Sequence, residues 1–490
     1  MQNDLALVYK ELGEYDKARD LMEEALKSNL EYLGDKHPHI NTNQSNLALV
    51  YLELGEYEKS RDLLEEALKS DLEIFGEKHP TIAIRKSNLA LAYESLGKYE
   101  KARELLEEAL KSDLENFGEK SSTLSAKQSN LAMVYESLGK YEKARELLEK
   151  ALKSNIENFG NNHPNVAISQ SNLSTVCKKL GEYDRARDLL EKALISDIDN
   201  FGKKHPNVAI TQSNLALVYR ELGEYEKARD LLEEVLKSNL ENFEVMHPII
   251  ATSQSNLALV YKNLGEYEKA RDLLEEALKL DLKNFGEGHP HIATCQSNLA
   301  LVYRELREYD KARDLMEKAL KLDLKNFGEK HPNAALSQSN LATIYEALGE
   351  YEKARDLLED ALKYDLENFG DKHPNTAINK SNLALIYKDL GEYEKARDLL
   401  EEALKSDLEN FGDKHPAIAI SKSNLALVYM DLGKYEKAQE LFEQVLKNEI
   451  EKFGEKHPTV SATQSNLASV YEASGKFDKA NEMRAKIHRK

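Results

Sequence analysis

The chain contains no tryptophan, only two cysteines and only ten prolines among 490 residues. The missing tryptophan and the absence of an alternating polar–apolar pattern argue against a strand-built propeller, whose blades also recur every ~40–45 residues. Cys177 and Cys295 are separated by almost three of the 42-residue repeats that make up the chain. A disulfide requires Cα atoms within roughly 7 Å. Both cysteines are therefore predicted to be isolated buried thiols in a reducing compartment.

Long apolar runs are also missing, since none approaches the ~20 residues of a membrane span. The first residues, Met1 to Asp4, show no basic-then-apolar signal pattern. The formal net charge of −19 makes the chain a poor non-specific ligand for nucleic acid or anionic membrane. The sequence thus predicts a cytoplasmic protein with neither nucleic acid nor membrane as a partner.

What the sequence does have is the tripeptide Asn-Leu-Ala at a fixed step of 42 residues. A unit that recurs with almost no insertions is one supersecondary module stacked on its neighbours. We therefore expect residues 1–490 to form a single solenoid of twelve copies, the first lacking its opening turn. The central leucine, which the first copy places in Asp-Leu-Ala and the fifth in Asn-Leu-Ser, stands at Leu5, Leu47, Leu89, Leu131, Leu173, Leu215, Leu257, Leu299, Leu341, Leu383, Leu425 and Leu467.

Each copy predicts two helices, here named helix A and helix B, as the copy beginning at His37-Pro38 shows. Its Leu47, Val50, Tyr51 and Leu54 fall on one face of helix A. Gly55 ends that helix, and helix B starts at about Tyr57 and ends at Gly76. Proline after each linker histidine stands in the first turn of the next helix A, where a missing N–H costs nothing.

Three copies depart from this pattern without changing the period. Arg307 replaces the glycine of the A–B turn and should strain that turn or change its type. Glu244 replaces a linker glycine, and Ser121-Ser122 replace one His-Pro pair. Because successive linkers should be ~10 Å or more apart, the other histidines cannot converge on one metal ion. Helix capping or linker packing is the better interpretation, and no metal or cofactor is predicted.

The signature Asn-Leu-Ala-x-x-Tyr-x-x-x-Gly-x-Tyr-x-x-Ala-x-x-x-x-x-x-Ala-Leu resembles the tetratricopeptide repeat in its 42-residue, kinesin-light-chain-like form. HEAT and armadillo repeats share the length but not this signature. The resemblance covers all twelve copies. It implies an all-α fold, a right-handed α-solenoid or superhelix of stacked antiparallel helix pairs. It also implies a non-catalytic protein–protein interaction scaffold that binds extended peptide or protein segments in the concave groove of the A helices.

Two sets of residues are candidates for lining that groove. By the resemblance, an asparagine before the repeated leucine hydrogen-bonds the ligand backbone, as expected for Asn172, Asn214, Asn256 and Asn298. Helical geometry independently turns a second leucine ladder away from the core. That ladder is either an apolar groove or a seam between neighbouring A helices, and it includes Leu217, Leu259 and Leu301.

The position after the first tyrosine is basic in four consecutive copies. These residues, together with a neighbouring lysine, form a basic strip in an acidic chain: Lys178, Lys179, Arg220, Lys262 and Arg304. Our hypothesis is that an acidic segment docks on it. The alternative is neutral exchange of Lys and Glu at a solvated site.

No phosphate-binding loop and no Ser/His/Asp set is present, so the chain is predicted not to be an enzyme.

Arg484 and His488 give the last copy the polar face of a C-terminal cap, and Arg489-Lys490 suit the end of a helix. We expect a monomer, with end-to-end self-association through the uncapped first copy as a weaker reading. The alternative function is a ligand-sensing array of a larger signalling protein.

Overall fold

A computed structural model describes residues 2–34, 37–118, 122–244, 247–413, 415–455 and 458–488. Within these residues the chain forms 24 α-helices and no strand, and no helix is long and apolar enough to cross a membrane. The A helices are α1 Gln2–Glu11, α3 Pro38–Glu53, α5 Pro80–Ser95, α7 Ser122–Ser137, α9 Pro164–Lys179, α11 Pro206–Glu221, α13 Pro248–Asn263, α15 Pro290–Glu305, α17 Pro332–Ala347, α19 Pro374–Asp389, α21 Pro416–Asp431 and α23 Pro458–Ala473. The B helices are α2 Tyr15–Leu33, α4 Tyr57–Phe75, α6 Tyr99–Phe117, α8 Tyr141–Phe159, α10 Tyr183–Phe201, α12 Tyr225–Asn242, α14 Tyr267–Phe285, α16 Tyr309–Phe327, α18 Tyr351–Asn368, α20 Tyr393–Phe411, α22 Tyr435–Phe453 and α24 Phe477–His488.

Linker histidines cap eight of the A helices within the described residues, as the sequence predicted. His79 has an extended backbone, and its Nδ1 atom accepts a hydrogen bond from the backbone N–H of Thr81. The imidazole stacks on Phe75 at the end of the preceding helix B, with ring centroids 4.5 Å apart. Pro80 is the first helical residue. The recurring His-Pro pair is therefore a helix start at which one side chain both caps the helix and packs against its neighbour.

Arg307 confirms the expected strain and shows that the type of turn is unchanged. Its φ of 60° is the only positive φ of a non-glycine residue in the described chain, and the equivalent Gly265 has a φ of 77°. The backbone hydrogen bonds of this turn are the same in both copies. At the other departures, α12 ends one residue early at Asn242 and α7 begins at Ser122, while Ser121 lies outside the described residues.

The core lies between helices A and B and between successive copies. Ala102 and Ala109 are fully buried on α6, and their small side chains let neighbouring helices approach closely. Tyr135 of α7 is buried except at its edge, where its hydroxyl donates a hydrogen bond of 2.6 Å to Glu107 in the preceding copy. Cys177 replaces such a tyrosine, and both it and Cys295 are buried and free, as predicted.

Polar pairs inside the stack join each helix B to the helix A that follows it. Asp71 of α4 and Arg85 of α5 form a buried ion pair with an Nε–Oδ2 distance of 2.7 Å. The same two positions, 14 residues apart, are filled in later copies by other bonded pairs with matching donors and acceptors. These pairs are Lys127–Asp113, Asn155–Ser169, Thr211–Asp197, Asn239–Ser253, Asn379–Asp365 and Ser421–Asp407. A buried carboxylate or amide needs such a partner, and the sequence analysis missed this pairing.

The chain divides into two compact units, unit 1 at Met1–His331 and unit 2 at Pro332–Lys490. Each is an α-solenoid of stacked antiparallel helix pairs. Successive A helices contact one another from α3 to α15 in unit 1 and from α17 to α21 in unit 2, whereas successive B helices make no comparable contacts within the described residues. The A helices therefore lie on the inner side of each stack. In unit 1, a cleft of about 900 Å³ lies open between the neighbouring B helices α2 and α4.

Unit 1 also contacts itself after somewhat more than five copies. His289 at the start of α15 reaches the backbone carbonyl of Glu53, which precedes it by 236 residues, and His247 and His331 make the equivalent contacts with Glu11 and Ser95. Tyr57 stacks on Phe327 at a centroid distance of 5.7 Å in the same region. We call this set of contacts the seam. It joins the A–B turns of one winding to the helix starts of the next.

Candidate functional site

The inner face of unit 1 is formed by one repeated set of positions on the A helices. On α11 these positions are Ile210, Asn214, Leu217 and Arg220, which follow one another at helical spacing. Ile210 is 52% exposed although it is a large aliphatic residue. The core stripe of the same helix, which includes Leu215 and Val218, is buried. The face is therefore distinct from the core and partly exposed to solvent.

The four asparagines proposed as ligand-binding residues lie on this face. All are partly exposed, and in the described part of unit 1 none of their side-chain amides makes a hydrogen bond: Asn172, Asn214, Asn256 and Asn298. An amide offers both a donor and an acceptor to a peptide backbone. The structure thus brings the four predicted amides into one row with their hydrogen-bonding capacity unused.

The predicted leucine ladder runs beside the asparagines. Leu217, Leu259 and Leu301 are each partly buried, so each keeps some apolar surface on the inner face. Partial burial of this kind fits both interpretations, a groove lining and a packing contact between neighbouring A helices.

Sequence reasoning missed a second apolar row one helical turn before the asparagines. Aliphatic side chains at this position are more than half exposed in both units: Ile84, Ile168 and Ile210 in unit 1, and Leu336, Ile378 and Ile420 in unit 2. The signal was available in the sequence, because a large aliphatic residue recurs there off the core stripe. Such recurrence at an exposed position is typical of a contact surface.

The basic strip is less uniformly available than the sequence suggested. Arg220 and Arg304 each bond the glutamate that follows them, Glu221 and Glu305, at 2.8 Å. Lys178 and Lys262 form no ion pair with any of the described residues. Lys179 is exposed.

Burial together with neighbouring cations makes these two lysines hold their protons less firmly. Burial, and after it the charge of Lys179, lowers the pKa of Lys178. Burial and the Arg304 guanidinium likewise lower the pKa of Lys262. The strip is therefore a partly buried region of excess positive charge, which differs from the fully solvated site of the alternative reading. An anion bound there would relieve the repulsion.

The same position turns acidic in the two preceding copies. Burial, followed by the charge of the Glu136 carboxylate, raises the pKa of Glu94 to about 7, and burial also raises the pKa of Glu136. Ser137 of the next copy donates a hydrogen bond of 3.4 Å to Glu94, which shows how closely adjacent copies approach at this level. Neither glutamate has an ion pair within the described chain.

Two arrangements typical of catalytic sites are a cluster of metal ligands and an activated thiol. In the described residues no three His, Cys, Asp or Glu side chains converge as metal ligands. Burial raises the pKa of both cysteines to about 12, so neither thiol is activated. The chemistry the face offers is that of recognition through amides, aliphatic groups and charges.

The repeat is recognised by a family model described as the tetratricopeptide repeat. It matches residues 1–69, 39–115, 123–195, 195–240, 249–325, 297–367, 333–409 and 417–484. The chain belongs to the tetratricopeptide repeat family. Members of this family generally serve as protein-interaction scaffolds. A comparison with curated proteins found no match.

Solved structures of tetratricopeptide-like proteins match parts of the chain. One, from Podosopora anserina, is described as a kinesin light chain with nearly identical TPR-like repeats. It is 28% identical over 42% of this chain and 97% of its own, with a TM-score of 0.36. BtubC (BKLC) from P. vanneervenii is 23% identical over 47% of this chain and 91% of its own, with a TM-score of 0.37.

Proposed function

We propose that this tetratricopeptide repeat protein is a non-catalytic cytoplasmic scaffold whose unit 1 binds an extended protein segment along the inner face of its A helices. The observation that carries the proposal is the row of four partly exposed asparagine amides without hydrogen bonds. A polypeptide lying across the A helices carries backbone N–H and C=O groups that need partners once water is excluded. The row supplies one such partner in each copy.

The basic strip favours an acidic segment. Lys178 and Lys262 have no carboxylate ion pair in the described residues, and their lowered pKa reflects repulsion from Lys179 and Arg304 as well as burial. Carboxylates of a ligand would reverse both effects, since an opposite charge stabilises the protonated amine. The leucine row beside the asparagines adds apolar contact for the intervening side chains.

The test is a fluorescence anisotropy titration with a labelled peptide of about fifteen residues that carries Asp or Glu at every third position. Wild type should bind it. The double variant Arg220→Glu/Lys262→Glu should lose most of the affinity, and Asn214→Ala/Asn256→Ala should weaken it about tenfold, as expected for hydrogen bonds removed from two copies. Asn382→Ala/Asn424→Ala makes the same change in unit 2 and serves as the matched control. If wild type and both unit 1 variants bind the peptide with equal affinity, the peptide does not bind on the inner face and the proposal is wrong.

A further inference from the structure

One position of the inner face of unit 1 is charged in six consecutive copies, and the sign of the charge changes once along them. At the same position of six consecutive A helices stand Glu94, Glu136, Lys178, Arg220, Lys262 and Arg304. We call them the charge ladder. Two acidic copies are followed by four basic ones, and the change falls between α7 and α9.

Members of the ladder are close enough to feel one another. Ser137, which follows Glu136, bonds Glu94 across adjacent copies at 3.4 Å. Before the ladder begins, Lys10 and Glu53 form an ion pair of 3.6 Å between the corresponding ends of α1 and α3. The charge of Glu136 raises the pKa of Glu94, and the charge of Arg220 lowers the pKa of both Lys178 and Lys262. The row is therefore electrostatically connected along its length.

Four of the six ladder residues form no ion pair with a group of opposite charge. Glu94, Glu136, Lys178 and Lys262 have none within the described residues, although all are partly buried. Partly buried charges outside an ion pair cost free energy unless something pairs with them. Within the described residues, unit 1 thus leaves two acidic and two basic sites without an ion pair, in a fixed order.

The spacing of the ladder fits an extended polypeptide. Contacting A helices lie ~8–10 Å apart. A polyproline-II segment rises ~3.1 Å per residue and repeats its side-chain direction every three residues, or every ~9 Å. One ligand side chain in three therefore faces one ladder residue, and a segment of about fifteen residues spans the six copies.

We propose that the segment bound by unit 1 is bipartite, with basic side chains opposite Glu94 and Glu136 and acidic side chains opposite Lys178 to Arg304, each set at intervals of three residues. This inference rests on the proposed function, because it specifies the partner of the same inner face. It goes beyond an acidic ligand by requiring a basic end, and it fixes the order of the two charges relative to the copies. A uniformly acidic segment would instead place carboxylates against Glu94 and Glu136, neither of which forms an ion pair within the described residues.

The experiment compares two labelled peptides on the full chain at low salt and at a pH well above 7, where the Glu94 carboxylate is ionised. Both carry the same acidic half with Glu at every third position. One continues into Lys at every third position, and the other into Gln at those positions. Wild type should bind the lysine-containing peptide about tenfold more tightly. The Glu94→Gln/Glu136→Gln variant should bind both peptides alike. The control Glu115→Gln/Glu157→Gln changes two exposed glutamates that are likewise one copy apart on the B helices, and it should keep the preference.

The outcomes separate the two proposals. If the two peptides bind wild type equally, or if the preference survives in Glu94→Gln/Glu136→Gln, the bipartite ligand is overturned, and the acidic-segment scaffold stands as long as Arg220→Glu/Lys262→Glu still abolishes binding. If neither peptide binds, both proposals fail. A third peptide with the same Lys and Glu residues interleaved should bind no better than the Gln peptide. Tight binding of the interleaved peptide would show that total charge rather than order is recognised, which also overturns the bipartite ligand.

Discussion

The Nε2 atom of His289 lies 3.1 Å from the backbone carbonyl oxygen of Glu53, 236 residues earlier in the chain. The Nδ1 atom of the same ring accepts a hydrogen bond from the backbone N–H of His291. An imidazole that accepts at Nδ1 and donates at Nε2 is neutral. The His289 side chain therefore caps α15 and joins two windings of unit 1. It makes both contacts only while its imidazole is neutral.

The seam should consequently weaken in acid. Burial lowers the pKa of His289 to about 4, and the groups facing it are the Glu53 carbonyl, His291 and the ring of Phe285. Because the folded pKa lies below the ordinary value of 6.5, the stabilisation is complete above that ordinary value and is lost as pH falls through about 4. An NMR titration of the His289 ring should show this low pKa. A midpoint near the ordinary value would mean that the ring is not buried in solution.

Replacing Gly55 by alanine should open the seam locally. An added Cβ would stand 2.6 Å from the Cδ atom of Pro290, and the φ of +72° already disfavours any side chain. Gly265→Ala is the matched control, because that glycine has a φ of +77° and nothing within 4 Å of the added atom. Both variants should lose about 1 kcal/mol to backbone strain. Only Gly55→Ala should speed amide hydrogen exchange at the start of α15. Equal exchange rates in the two variants would show that the two windings are not in contact at this position.

Arg307→Gly should stabilise the chain. Arg307 holds a φ of 60° in a turn where the other described copies have glycine, and the strain of a side chain in this conformation is about 1–2 kcal/mol. Thermal unfolding should show a higher Tm for Arg307→Gly and a lower one for the reverse change, Gly265→Arg. An unchanged Tm for Arg307→Gly would indicate that contacts of the arginine offset its strain.

Removing one partner of a buried polar pair should lower the free energy of unfolding far more than replacing both partners by another complementary pair. Asp71→Ala leaves the Arg85 guanidinium buried without its carboxylate, and such a loss typically costs about 3–5 kcal/mol. The double change Asp71→Asn/Arg85→Ser recreates the pair that Asn239 and Ser253 form in another copy. Urea denaturation should show substantial recovery in the double variant. If Asp71→Ala and the double variant are equally unstable, the pair does not act as a unit.

Asp281 should make stability depend on pH in the opposite sense to a salt-bridged carboxylate. Burial raises its pKa to about 6, so the folded state binds the proton more tightly than the unfolded state. Stability attributable to this group therefore rises as pH falls through about 6. Asp281→Asn should raise Tm at a pH well above this value and give no gain near the ordinary pKa of aspartate. A gain of equal size under both conditions would contradict the assigned cause. Asn239 occupies the equivalent position one copy earlier, where its amide donates a hydrogen bond to Ser253.

Local structure followed from the sequence because its causes are local. The predicted start of helix B at Tyr57, its end at Gly76 and the capping role of the linker histidines were all confirmed. Each depends on a few neighbouring residues: a proline that fits a first turn, a glycine with positive φ, and a ring within reach of the next backbone N–H. The exposed and buried faces of each helix A followed likewise from its period.

The pairing of Asp71 with Arg85 was harder to predict, since the two positions are chemically complementary only when helices of successive copies are in register. In one sequence the changing residue types at each position look like drift. The candidate site was likewise only partly predictable from the sequence. The members of the asparagine row and of the basic strip were identifiable from the period. The ion pairs that neutralise Arg220 and Arg304, and the lack of such pairs at Glu94 and Lys262 in the described chain, required side-chain positions.

The sequence by itself determined the repeat, the two helices in each copy, their boundaries and the family, because a fixed period and short-range capping leave little choice at that scale. Tertiary structure alone decided that His289 meets Glu53 and that the charges of the ladder are partly buried. Small rotations between successive copies accumulate along a solenoid. Their sum determines which distant residues come into contact, and it cannot be deduced from the sequence of any single copy.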